Sequence, residues 1–151
     1  MTTTIEGIDA LKSRAGEHLG YSDWHEITQD QVDRFADATG DHQWIHVDPE
    51  RARSSPFGGT IAHGYLTLSL APALLNEIWR VEGMTMGLNY GVNRLRFPAP
   101  VPVGSKLRVG ARLTAVDDIA GGAQGTIELT FEVEGQDKPG CVAEVVYRYY
   151  A

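Results

Sequence analysis

The clearest pattern in the chain lies in its second half, where polar and apolar positions alternate. Leu107, Val109, Ala111 and Leu113 alternate with Lys106, Arg108, Gly110 and Arg112. Ile127, Leu129, Phe131 and Val133 alternate with Glu128, Thr130, Glu132 and Glu134. A period of two is a strand with one buried face. Met84–Phe97 and Cys141–Tyr150 read as two further strands, with Gly87 and Gly91 as bends in the first. The turns at 117–122 and 135–140 are short, so successive strands pair antiparallel as a meander.

The first half has helical periods instead. Ile5, Ile8 and Leu11 recur at helical spacing and predict a short helix ending near Gly16; Tyr21–Glu26 reads as a short strand. A second helix is specified in detail. Thr28 is its N-cap, Gln31 completes a capping box, and Ile27 with Val32 forms the hydrophobic staple. Val32, Phe35 and Ala36 form its apolar stripe, and Gly40 is placed to end it in the left-handed conformation. Asp48-Pro49 reads as an N-cap and first position of a short turn through Arg53, and Ser54 to Thr60 has the composition of a loop, expected close to the ligand site. Residues 62–80 are apolar on nearly every face, which predicts one long buried helix kinked at Pro72, or two shorter helices. Helices followed by a meander predict an α+β fold in one domain (1–151): a curved antiparallel sheet wrapped round a buried central helix.

Charge and composition narrow the function classes. The net charge of −7 over 151 residues argues against nucleic acid or an anionic membrane as the bulk partner. A single cysteine, Cys141, leaves no internal disulfide and no cysteine metal cluster; it is expected on an inward strand face. The N-terminal residues are polar and mixed in charge, and no apolar run reaches membrane length, so a soluble cytoplasmic protein is expected.

The candidate chemistry sits between Thr39 and Pro49, T-G-D-H-Q-W-I-H-V-D-P. Asp41 and His46 are five apart, about 140° round an α-helix. They can share a site only if the chain bends between them, which Gly40 and Pro49 favour by making the stretch a loop. An acid and an imidazole on such a loop can activate water. Other readings stand beside this one. Asp41 can be a turn former and His46 a core histidine; His42 and His46, four apart, can be metal ligands. His63 is expected to pack or cap, and Asp48 to cap. Arg94 and Arg96 can meet phosphates or simply be solvated strand residues.

Three blocks carry a family resemblance: Ala38–Ala52, A-T-G-D-H-Q-W-I-H-V-D-P-E-R-A; Ile61–Tyr65, I-A-H-G-Y; and Arg96–Gly104, R-F-P-A-P-V-P-V-G. Together they resemble the MaoC-like dehydratases, or (R)-specific enoyl-CoA hydratases. Asp41, Ile45 and His46 match that family's D-x-N-P-[LI]-H motif, while Gln43 and Trp44 replace its usual Asn and Pro. The D-H-Q-W-I-H form is similar to nodulation protein N-like sequences. The resemblance implies a hot-dog fold and a homodimer with an acyl tunnel at or near its interface. It implies reversible hydration of trans-2-enoyl thioesters, on CoA or an acyl carrier, without a cofactor. It places Asp41 and His46 as the catalytic dyad, the Gly64 N–H as oxyanion donor, and Gln43, Trp44, Ala62 and Tyr65 at the substrate. Rival expectations are a thioesterase on the same fold and a non-enzymatic acyl-thioester binding module.

Overall fold

A computed structural model describes residues 2–151. The four long strands form as the alternation predicts, and they build the frame that carries everything else. They are β5 (Met86–Arg96), β6 (Lys106–Ile119), β7 (Gly122–Val133) and β8 (Cys141–Tyr150), following the shorter β1 (Thr3–Glu6), β2 (His18–Tyr21), β3 (His25–Glu26) and β4 (Trp79–Glu82). The main sheet runs β2-β6-β7-β8-β5, with β3 also paired to β6 and every pairing antiparallel. Register places Leu107, Val109, Ala111 and Leu113 opposite Val133, Phe131, Leu129 and Ile127. These eight side chains are all buried and form the floor of the core. Each large one contributes about 1.5–3 kcal/mol of burial free energy.

Helices cover that floor. They are α1 (Gly7–Ser13), α2 (Gln29–Thr39), α3 (Trp44–Val47), α4 (Pro49–Arg53), α5 (Gly64–Ser69) and α6 (Ala71–Ile78). Leu66, Leu74, Leu75 and Ile78 of α5 and α6 pack into the same hydrophobic cluster as the β6 and β7 side chains. The result is the expected α+β hot-dog arrangement of a curved sheet round a central helical segment. No helix among the described residues is long and apolar enough to cross a membrane.

The central segment differs from a single long helix. It has two parts meeting at Leu70, which serves as C-cap of α5 and N-cap of α6. Pro72 lies at the start of α6, where its missing N–H costs least. Trp79 and Arg80 are not helical at all but open β4, which pairs in parallel with β1. Nor is the segment buried all round: Tyr65, Ser69, Pro72, Ala73 and Asn76 are exposed, because one sheet can cover only one side of a helix. At the N-terminus Ile5 belongs to β1, and helix begins only at Gly7. Of residues 21–26, read as one strand, Tyr21 ends β2 and His25–Glu26 forms β3, both paired with β6, while residues 22–24 belong to neither.

Candidate active site

Local capping places the candidate dyad. Thr28 Oγ1 accepts from the Gln31 N–H at 3.1 Å, fixing the start of α2. Gly40 ends that helix at φ +84°, a conformation that glycine adopts without a Cβ penalty, and its N–H bonds Ala36 O. The chain reverses there, and Asp41 begins the next segment. This segment is not wholly loop: Trp44–Val47 forms one helical turn, α3. His46 therefore sits on α3 while Asp41 precedes it, and the bend at 41–43 brings them together. Asp48 then caps α4 by accepting from the Arg51 N–H at 3.2 Å.

The bend is braced from α2. Gln29 donates to the His46 carbonyl at 2.8 Å and to Asp33 Oδ1 at 2.9 Å, and accepts from Thr60 Oγ1 at 2.6 Å. Residues 60–62 stitch the bend to the proline-rich segment. Ile61 N bonds Ile45 O, Ala62 N bonds Val101 O, and Val103 N bonds Thr60 O.

These contacts set the state of His46. Its side chain is buried, and Nδ1 lies 2.7 Å from Ile61 O. A carbonyl only accepts, so Nδ1 carries the proton and the neutral ring keeps a lone pair on Nε2. Burial is the main influence on its titration and pulls it below the ordinary histidine value of 6.5; His63 acts the same way, while the Ile61 carbonyl and Asp41 oppose. The His63 ring stacks on His46 with centroids 3.9 Å apart and planes 23° apart, and packs against Phe35 at 4.7 Å. Its Nε2–H donates to the Asp41 backbone carbonyl at 2.9 Å. Asp41 is exposed, and its carboxylate Oδ1 accepts from the Gln43 N–H at 3.4 Å. Asp41, His46 and His63 each bring a polar side-chain atom within 4.8 Å of the others.

His46 borders a cavity of about 280 Å³ whose wall includes Phe57, Ala62, Gly64, Thr67, Phe97 and Val101. As the first residue of α5, Gly64 has a backbone N–H with no carbonyl partner inside the helix, at its positive end. A Cβ at this position would lie 2.9–3.0 Å from the Phe97 ring, so only glycine lets that ring lie against the backbone.

Of the residues placed at the substrate by resemblance, Ala62 lines the cavity. Gln43 is an exposed N-cap of α3, Trp44 stacks beneath the Arg51 guanidinium at 4.4 Å, and Tyr65 is 67% exposed, edge-on to Phe97 at 6.0 Å. His42 is turned away and pairs with Asp37 at 3.0 Å. Arg94 and Arg96 lie exposed on β5. Phe57 lies on the 54–60 loop that was expected close to the ligand site, but the wall at Phe97, Ala99, Pro100 and Val101, with Thr67, was not legible as a site from sequence. The only signal was the R-F-P-A-P-V block, whose prolines read as turn punctuation.

Asp41, His46 and His63 do not make a good metal triad. Metal–imidazole bonds lie in the ring plane, and two planes only 23° apart at 3.9 Å do not meet within bonding reach of both nitrogens. His46 Nδ1 and His63 Nε2 are already committed to carbonyls. The arrangement suits water better. Two polar atoms up to 4.8 Å apart can share one water at about 2.8 Å from each, subtending roughly 118° at its oxygen.

A family model described as MaoC like domain matches residues 10–134. The 3-hydroxyacyl-thioester dehydratase Z of Mycobacterium tuberculosis is 55% identical over 149 residues, covering 98% of this chain and 99% of that protein. Nodulation protein N of Rhizobium leguminosarum bv. viciae is 47% identical over 137 residues, covering 88% and 84%. Among solved structures, the (R)-hydratase from A. caviae involved in PHA biosynthesis superposes with a TM-score of 0.72 at 24% identity, over 87% of this chain and 95% of that one. At that identity the likeness concerns the fold.

Proposed function

The chain belongs to the MaoC-like domain family, and from that membership we propose that it is an enzyme that adds water to trans-2-enoyl thioesters and removes it from (R)-3-hydroxyacyl thioesters. The carrying observation is the juxtaposition of Asp41 and His46, within 4.8 Å, beside a cavity that also receives Gly64.

In this reading the thioester lies in the cavity with its carbonyl toward the Gly64 N–H, and one water is shared by Asp41 and His46. His46 Nε2 takes a proton as the water oxygen bonds C3. The C2–C3 π electrons move toward C2 and the thioester carbonyl, giving an enolate whose oxygen Gly64 holds. Such a donor is worth about 3–4 kcal/mol in the transition state. Asp41 keeps the water's other hydrogen in place and stabilises the imidazolium. The proton taken by His46 then goes to C2, so the dyad is restored and no external acid or base is consumed. Dehydration is the same path reversed. Lowered titration suits His46 to this role, because a neutral ring is the required base at neutral pH.

A homodimer completes the proposal. Met86, Leu88, Tyr90 and Val92 of β5 and the neighbouring Phe97 are all exposed, alongside the open face of α5. Pairing with a second copy is one way for a chain to cover an exposed apolar edge strand of this length. Two further cavities, of about 270 and 300 Å³, follow α5 and α6 under β5 and share Pro72, Asn89 and Tyr147. An acyl chain leaving the catalytic cavity along the helix enters this groove beside the dimer edge.

Mixing the protein with crotonyl-CoA tests the reading: the enoyl absorbance falls and (R)-3-hydroxybutyryl-CoA accumulates. Release of free thiol instead would identify a thioesterase, and no change across short and long acyl chains on CoA or a carrier protein would leave only binding. Asp41→Asn keeps the fold and loses most turnover; wild-type turnover in that variant would refute the dyad.

A further inference from the structure

His63 takes no part in the mechanism above, yet it is 2% exposed and touches both members of the dyad. Its Nε2–H holds the Asp41 carbonyl, its ring covers one face of His46, and Phe35 of α2 supports it from another side. Its position is fixed by the fold, since it is the N-cap of α5 and its carbonyl accepts from the Thr67 N–H. The same residue therefore ties the oxyanion glycine next to it, the loop of Asp41 and the ring of His46 into one unit. Unlike His46, Ala62 and Gly64, it does not border the cavity.

Its second nitrogen is informative. Nδ1 is buried and has no hydrogen-bond partner among the described residues. With Nε2 protonated toward Asp41 O, a neutral ring leaves Nδ1 as a bare lone pair, the cheaper of the two ways to bury an unpaired imidazole nitrogen. An N–H there would make the ring a cation stacked against His46 and denied solvent. The two stacked histidines thus hold opposite tautomers, His46 protonated on Nδ1 and His63 on Nε2, each fixed by one backbone carbonyl.

We propose that His63 is the positioning residue of this site, its Nε2–H tether to the Asp41 carbonyl and its stack on His46 setting the separation of the two water-activating groups. The proposal rests on the hydratase reading for its kinetic consequence, but its structural content can be tested apart from activity. A residue that positions without touching substrate affects turnover and leaves substrate binding alone.

The kinetic test uses three variants of the full chain, with folding checked by circular dichroism. His63→Phe keeps a stacking ring and removes the donor. His63→Asn shortens the side chain so that its amide N–H no longer reaches the Asp41 carbonyl, and serves if the Phe variant fails to fold. His63→Gln places an amide N–H within reach of the Asp41 carbonyl. On crotonyl-CoA, kcat falls at least tenfold in the Phe and Asn variants, both of which lose the tether, while KM stays within about threefold, the pattern of lost orientation. The Gln variant recovers most of that loss. Wild-type kcat in the Phe or Asn variant would overturn the proposal, as would a rise in KM with kcat unchanged, or a Gln variant as impaired as the Phe variant. Long-range 1H–15N correlation spectra of the wild-type protein give the activity-independent readout. His63 is expected as the Nε2–H tautomer with bare Nδ1, and His46 as the Nδ1–H tautomer. A protonated or Nδ1–H His63 overturns the proposal even if hydration is observed; the expected tautomers without any hydration would leave the tether standing and refute the hydratase reading instead.

Discussion

Gly64→Ala separates the structural and chemical roles of one residue. The added Cβ would lie 2.9 Å from Phe97 Cζ and 3.0 Å from each Cε. Carbon atoms in contact prefer about 3.5–4.0 Å, so the ring must retreat by roughly half an ångström or more. It has room, because Phe97 borders the cavity of about 280 Å³ and its ring can shift into it. The overpacking cost should therefore fall at or below the usual range of about 1–3 kcal/mol. Loss of glycine's freedom in the unfolded chain offsets about 0.4–1 kcal/mol of that. The net effect on stability is small, and the thermal midpoint should move by only a few degrees. Activity responds more strongly. Both the methyl group and the displaced ring intrude where the thioester carbonyl would approach the Gly64 N–H. If half or more of a donor worth about 3–4 kcal/mol is forfeited, kcat/KM falls between about tenfold and several hundredfold. The assay pairs enoyl-thioester hydration with a thermal melt on the same preparation. Activity within twofold of wild type would refute the placement of the oxyanion at Gly64. A collapse in stability of several kcal/mol would refute the reasoning about Phe97.

Further expectations follow from the same geometry. With His46 as base, kcat/KM falls on the acid side with an apparent pKa below 6.5, because burial depresses His46; an acid limb above that value would reassign the base. The linkage has a definite sign: between the folded pKa of His46 and 6.5 the unfolded chain binds more protons, so this group lowers stability as pH falls through that window, and urea midpoints record it. Gln29→Leu strands the buried Thr60 hydroxyl and the His46 carbonyl, costing about 1–3 kcal/mol; the thermal midpoint drops by about 2–10 °C, and kcat falls as α3 loosens. An unchanged melt would show that water replaces the amide at no cost. Cys141 is buried and its thiol is pushed up to about 12, so native protein at neutral pH resists Ellman's reagent until denatured; rapid labelling of the native state would contradict the burial.

Much of this was legible in the residues themselves. Alternation placed β6, β7 and β8 because burial on one face imposes a period of two. Thr28, Gly40 and Asp48 marked helix ends because orphan backbone groups demand local partners, and each residue occupies the cap expected of it. Those ends also located the bend on which Asp41 and His46 meet. What local chemistry could not express came from distance along the chain. Ile5 has a helical spacing but is claimed by β4, seventy-odd residues away, because an unpaired strand at Trp79–Glu82 gains a full ladder from it. The apolar stretch 62–80 looked buried on every side, yet a lone sheet shields one side and leaves Tyr65, Ser69 and Asn76 open. At the site, sequence proposed an acid and an imidazole; the fold decided the imidazole's tautomer by setting Ile61 O against Nδ1 and a second histidine against its ring. Hydrophobic period and capping are properties of neighbouring residues, and a sequence states them directly. Tautomer, stacking and cavity wall depend on which distant segments burial brings together, and only the packed molecule determines that.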